Sequence, residues 1–211
     1  MASKGRALSP RVMGRPLDRT GADTRASLKA VAQRVFGSQG YYSARLGEIA
    51  EEAGITPGGV YNHFASKEEL FVEVYHDAFE VMNNAADQIL SEDSTLLGRI
   101  NRYFEWSIAT LQANPSLTIF LTAARQDIHR DAELRSLLAG ETMDTFIATL
   151  VRDAVKTGEV AESKRQYLRA VLVGLFIGLS QLLAEVPVER HREYLQAASL
   201  LLANNLWKTS E

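Results

Sequence analysis

The chain contains no cysteine among its 211 residues, so neither a disulfide framework nor a thiolate metal site is open to it. Its four histidines, His63, His76, His129 and His191, fall on separate segments rather than in a nucleophile, base and orienter pattern. No P-loop, G-x-S-x-G or G-x-G-x-x-G occurs. His129 has Asp127 and Asp131 close by, but carboxylates beside one histidine at a helix junction read better as solvated caps than as metal ligands. We therefore expect no enzyme, no metal and no cofactor. Long apolar runs are also missing. Residues 168–184 come nearest, and Arg169, Ser180 and Gln181 interrupt them, short of the ~20 predominantly apolar residues of a membrane span. Residues 1–22 are rich in arginine but lack the apolar segment of a signal peptide. A cytoplasmic protein without membrane contact is expected.

What is present is ordinary in bulk and uneven in distribution. Hydrophobic residues make up 46% and charged residues 23%, which suits a soluble globular chain with a real core. The net charge of −3 hides an asymmetry. Residues 1–70 carry ten Lys/Arg against seven Asp/Glu, and the remainder thirteen against nineteen. A basic first third points to a nucleic-acid end. Residues 1–22, with no apolar periodicity, read as a flexible basic arm.

The organising stretch is residues 49–64. Leu46, Ile49, Ala50 and Ala53 give a short apolar helical pattern that Gly54 stops, a place for a left-handed residue. Thr56 is a good N-cap and Pro57 suits the first helical position. Val60 and Phe64 then recur four apart. A small residue, a turn glycine and an apolar anchor at this spacing make a helix-turn-helix. The second helix is short and carries two glycines, each costing ~1 kcal/mol relative to alanine, so packing must hold it. Its outer face is Thr56, Gly58, Tyr61, Asn62 and His63, groups that can bond phosphates and base edges while glycine admits close approach.

The pieces Thr24-Arg25, Phe36, Gly40-Tyr41, residues 49–55 and Val60-Tyr61-Asn62-His63-Phe64-Ala65-Ser66-Lys67-Glu68-Glu69-Leu70 closely resemble the DNA-binding end of tetracycline-repressor (TetR) family regulators. The resemblance covers about a quarter of the chain, and its last piece is the most specific. It implies an all-α, TetR-like fold: an N-terminal three-helix head with the helix-turn-helix, then a C-terminal bundle for ligand binding and dimerisation. The expected boundaries are 1–22 for the arm, 23–70 for the head and 71–211 for the body. DNA contacts are expected from Thr24, Arg25, Arg45, Thr56, Pro57, Gly58, Tyr61, Asn62, His63 and Lys67. The chain departs from the family at Ser43-Ala44-Arg45-Leu46-Gly47, where relatives place hydroxyl residues. The cap of the second helix is therefore either shifted to Ser43 or absent. Lys67, in the first turn of a helix opened by Ser66 and Glu69, is oddly placed for a cation, and a phosphate would explain it.

Everything after residue 66 reads as helix. The spacing predicts helices over about 67–90, 95–113, 115–125, 131–157, 163–184 and 188–207. Tyr103, Trp106, Thr110, Phe120, Met143 and Phe146 are candidates to line an effector pocket, a lining compatible with a lipophilic small molecule. In the family the resemblance implies, the last two long helices pair with those of a second copy. Leu168, Val171, Gly174, Leu175, Gly178, Leu182 and Leu195 are the expected homodimer residues. The reading is a DNA-binding regulator, a repressor released from a palindromic operator by its effector. The alternatives are a helix-turn-helix gripping a protein, or a small-molecule-binding helical bundle without DNA function.

Overall fold

The computed structural model describes residues 20–92, 94–139 and 143–203, without the side chains of 183, 184 and 188. The basic arm lies outside these residues except for its last three, as does the end of the predicted final helix at Trp207. Ten α-helices and no strand occur among the described residues: α1 (Gly21–Ser43), α2 (Leu46–Glu52), α3 (Pro57–Val60), α4 (Lys67–Ser91), α5 (Leu96–Ala113), α6 (Pro115–Arg130), α7 (Ala132–Leu137), α8 (Met143–Lys156), α9 (Arg165–Glu185) and α10 (His191–Ala203).

The caps explain most boundaries. Thr20 and Asp23 form a reciprocal capping box at the start of α1. Thr95 caps α5, accepting from the Gly98 amide. Asn114 caps α6, with Pro115 in the first turn. Ser66 accepts from the Glu69 amide, but the Glu69 carboxylate returns to the Ala65 N–H, one residue earlier than a capping box would have it.

Two boundaries differ from the sequence expectation. Helix α6 runs five residues past the predicted Arg125, to Arg130, and so carries Asp127 as a helical residue. The single helix expected over 131–157 is two, because Leu138 leaves helical angles at φ −104°, ψ 18° and α7 ends at Leu137. Gly140, just beyond, was the available signal for that break.

Apolar stripes assemble into two cores. Leu28, Val35 and Phe36 of α1, Ile49 and Ala50 of α2, Val60 and Phe64 join Leu70, Phe71 and Val74 of α4, and with them Leu117, Phe120 and Ala124 of α6. The head therefore shares its core with α6, and the expected boundary at residue 70 falls inside that core. Gly37 is the contact point: a Cβ there would stand 3.1 Å from the Phe120 backbone nitrogen, so α1 and α6 cross almost backbone to backbone. The second core gathers Ile100 and Phe104 of α5, Ile147 and Leu150 of α8, Leu168, Leu172 and Phe176 of α9, and Leu195 and Leu202 of α10.

Helix α9 separates its two faces cleanly. Leu168, Leu172, Phe176 and Leu179 are buried, whereas Tyr167, Val171 and Ile177 are exposed. Gly174 and Gly178 also lie exposed, and a Cβ at either would meet nothing. Leu168 and Leu195, expected in a dimer interface, face the chain's own core instead. Leu168 shares its stripe with Leu172 and Phe176, and Leu195 shares its own with Ala198 and Leu202. Both stripes turn inward, and the pattern alone could not say which apolar face met which partner. Leu175 and Leu182 are half-buried.

Candidate nucleic-acid interface

The interface begins with a turn clamped from beneath. Ala50 is fully buried and Ala53 nearly so, and the Ile55 amide donates to the Ala50 carbonyl at 2.9 Å. Gly54 takes φ +75°, a conformation that costs a side-chain-bearing residue ~1–2 kcal/mol. The Thr56 hydroxyl accepts from the Gly59 amide at 3.1 Å, with Pro57 at the first helical position. Helix α3 itself is one turn long. Its end is secured by Val60, whose carbonyl accepts from the His63 and Phe64 amides at 2.9 and 3.0 Å. Val60 and Phe64, both within 1% of full burial, anchor it to the core.

This leaves a specific set of groups outside. Thr56, Pro57, Gly58, Tyr61 and Asn62 are exposed; Tyr61 shows 60% of its surface to solvent. A Cβ on Gly58 would meet nothing, so the α3 backbone is open to close approach. Arg45 is exposed beside them, at the N-cap of α2, and that helix has no side-chain cap bond. Ser43 is thus not a shifted cap. Tyr42, which sequence reading passed over, is also exposed, at 59%. Its largely apolar ring gave no signal of a surface role, and only its failure to pack inward marks it.

The remaining candidates are engaged within the head. Thr24 is buried, its hydroxyl donating to the Thr20 carbonyl. Arg25 lies over the Phe64 ring, donates to the His63 carbonyl and pairs with Glu73. It braces the end of the recognition turn against α4. His63 is half-buried there. The Lys67 ammonium lies 4.5 Å from the Tyr41 ring centre and donates to the carbonyls of Tyr41 at 2.7 Å and Ala44 at 3.1 Å. Desolvation lowers its pKa. Capping the end of α1 accounts for a cation in this position without any phosphate.

The end of α1 is also tied to the body. Gly40 breaks the helix at φ +78°, which frees the Tyr41 amide to donate to Asp127 Oδ2 of α6 at 2.8 Å. The Tyr42 hydroxyl donates to Asp131, the N-cap of α7. That bond raises the Tyr42 pKa to about 12 and lowers that of Asp131. Both carboxylates near His129 are thus occupied, and no cluster that could hold a metal occurs among the described residues.

Helices α6 and α7 form one wall of a cavity of about 460 Å³, with α4, α5, α8 and α9 around it. Trp106, Thr110 and Met143 line it. Tyr103, Phe120 and Phe146 do not. Tyr103 and Phe146 pack on each other and on Phe176 in the second core, and burial pushes the Tyr103 pKa up. Phe120 meets Phe71 edge-on in the first. Sequence spacing could not separate aromatic core from aromatic wall.

Comparison with known proteins supports this geometry. The family model for bacterial regulatory proteins, tetR family, matches residues 28–74. The regulator AcrR of Shigella flexneri is 43% identical over 63 residues, 30% of this chain and 29% of its own length. BetI of Rhizobium meliloti is 25% identical over 167 residues, covering 78% of this chain and 82% of its own. A tetR-family structure from Shewanella sp. PV-4 superposes with TM-score 0.67 at 22% identity, over 91% of this chain and all of that one.

Residues 28–74 are a domain of the tetR family of bacterial regulatory proteins.

TetR-family regulators bind DNA through this helix-turn-helix, so the chain is a DNA-binding transcriptional regulator. A further structure of similar fold is FadR of Bacillus subtilis in complex with stearoyl-CoA, at TM-score 0.67 and 17% identity, covering 81% of this chain and 95% of that one. No helix among the described residues is long and apolar enough to cross a membrane.

Proposed function

We propose that the chain acts in the cytoplasm as a homodimeric repressor without enzymatic activity, releasing a palindromic operator when a small lipophilic molecule fills its body cavity. The observation that carries this reading is the exposed surface of residues 56–62, rigidly clamped from below and open at Gly58. Asn62 can bond an adenine edge through its amide, with His63 beside it, while Thr56, Tyr61 and Arg45 suit phosphates. Two such heads need recognition helices roughly 34–36 Å apart.

The outer faces of α9 and α10 support a second copy as the dimer partner. Tyr167, Val171, Leu200 and Leu201 are exposed apolar residues, and the open strip at Gly174 and Gly178 lets a symmetry-related helix approach closely. The effector reading is supported by the cavity and by the likeness in fold to FadR bound to stearoyl-CoA. Its route to DNA is α6, which lines the cavity and holds the end of α1 through Asp127. An effector shifts the balance of DNA-competent and DNA-incompetent forms by no more than its differential affinity for the two.

The test is selection of bound fragments from random DNA at fixed, near-physiological salt, with Tyr61→Ala and Arg45→Ala as controls. One enriched inverted repeat, lost in the controls, with affinity falling steeply as salt rises, is expected. A folded dimer that enriches nothing, or whose DNA contact ignores salt, overturns the operator reading in favour of a protein partner.

A further inference from the structure

We infer that the body cavity takes an organic anion with an apolar tail, its charged end held by Arg125 and Arg135 and its tail lying along Phe79, Trp106, Met143 and Phe176. This names the chemistry of the effector, and it rests on the reading that a small molecule occupies this cavity.

The sign of charge comes from an inventory of the cavity's polar groups. Among the described residues, three charged ones line it: Arg125, Arg135 and Asp144. Asp144 is already paired with Arg169 of α9. Arg125 is exposed and makes no hydrogen bond or ion pair among the described residues. Arg135 donates one N–H to the neutral His129 carbonyl, which leaves most of its five donors for another partner. Among the described residues the rim thus offers two guanidinium groups and no free carboxylate.

The hydroxyl groups on the wall narrow the chemistry further. Ser107 donates to the Tyr103 carbonyl at 2.8 Å, Thr122 to the Thr118 carbonyl at 2.9 Å and Ser180 to the Phe176 carbonyl at 2.7 Å. Each of these three protons is held within its own helix, which leaves Thr110 and Thr118 as the neutral hydroxyls on the wall without such a bond. An acceptor-rich head such as a carboxylate finds charged donors at the guanidinium forks, which match it geometrically and bond it more strongly than a neutral hydroxyl does. An ammonium head would meet two cations and a carboxylate that already has a partner. The rest of the wall is apolar and aromatic, the surface that buries a hydrocarbon tail.

Size follows from volume. At roughly 30 Å³ per non-hydrogen atom, the 460 Å³ cavity accepts a molecule of about 15 such atoms, the scale of dodecanoate. Position gives the charged end a consequence. Arg125 is two residues from Asp127 and Arg135 four from Asp131, the two carboxylates that hold the end of α1. An anion at these arginines acts on the corner of the body to which the DNA-binding head is tied.

The experiment titrates the full chain, free of DNA, by calorimetry with dodecanoate, dodecan-1-ol and dodecylammonium, each below its micelle concentration. Dodecanoate is expected to bind about tenfold or more tighter than the alcohol, one charge-assisted contact's worth, with the ammonium weakest. In Arg125→Gln, and in Arg125→Gln/Arg135→Gln, the preference for the anion shrinks to less than about threefold while alcohol binding is kept. Thermal unfolding checks that each variant is folded, and the single variant serves if the double is not. Equal binding of anion and alcohol, tighter binding of the ammonium, a preference that survives in Arg125→Gln, or no binding of any probe overturns the inference. Because DNA is absent, each of these leaves the operator selection to be judged separately.

Discussion

Replacing Asp127 isolates the tie between head and body. Asp127 lies buried on α6, and its Oδ2 accepts from the Tyr41 amide at 2.8 Å. Gly40, at φ +78°, turns that amide out of the helix so that the bond can form. Asp127→Ala removes an ionised acceptor, worth about 1.5–3 kcal/mol, and leaves a half-buried N–H that water only partly reaches. We expect a loss of about 2–3 kcal/mol. Asp127→Asn keeps an acceptor but not the charge, and a neutral bond is worth about 0.5–1.5 kcal/mol, so the loss is about 1 kcal/mol. Urea unfolding at one fixed protein concentration, needed because association shifts apparent stability, reads both from the change in midpoint at constant slope. The alanine variant's melting temperature falls by about 2–4 °C per kcal/mol. An alanine variant within about 0.5 kcal/mol of the parent refutes the account. So does an asparagine variant as damaged as alanine, since the Asp127 charge, whose field reaches the Lys67 ammonium, would then matter rather than the hydrogen bond.

Two other perturbations test separate parts of the head. Gly54→Ala places a Cβ where it meets nothing, so only the backbone conformation at φ +75° opposes it; a loss of about 1–2 kcal/mol in urea unfolding is expected, and a neutral or stabilising result refutes the left-handed turn. Tyr42→Phe removes the main cause of the lowered Asp131 pKa. The depressed carboxylate contributes stability above its unfolded pKa and loses it as pH falls through the folded one, so the acid limb of the stability curve flattens in the variant. The partner contribution of Tyr42 is complete below its ordinary value near 10 and lost as pH rises through about 12. NMR titration of the Asp131 carboxyl reads the change directly, and an unmoved pKa in Tyr42→Phe refutes the bond.

The recognition turn was legible because its determinants are local. Gly54, Thr56 and Pro57 act on their own backbone, and Ala50, Val60 and Phe64 announce their burial by spacing. Lys67 was legible as an anomaly and ambiguous in cause, because the carbonyls that attract it belong to a segment over twenty residues away. Arg25 carries the same lesson: nothing in the sequence near it mentions Glu73 or Phe64. The break before α8 was missed because apolar periodicity continues across it.

By itself the sequence determined that the chain is helical, where the helix-turn-helix lies and, His63 apart, which of its side chains face outward, since caps, turn glycines and 3.6-residue periodicity act over short range. Tertiary structure alone decided which apolar residues line a cavity and which fill a core. Tyr103 and Trp106, three apart on one helix, divide between the two. It also decided that the head shares its core with α6, and that Asp127 and Asp131 rather than solvent hold the end of α1. These depend on which helices meet and at what distance. That is set by contacts between residues far apart in the chain, and periodicity carries no record of them.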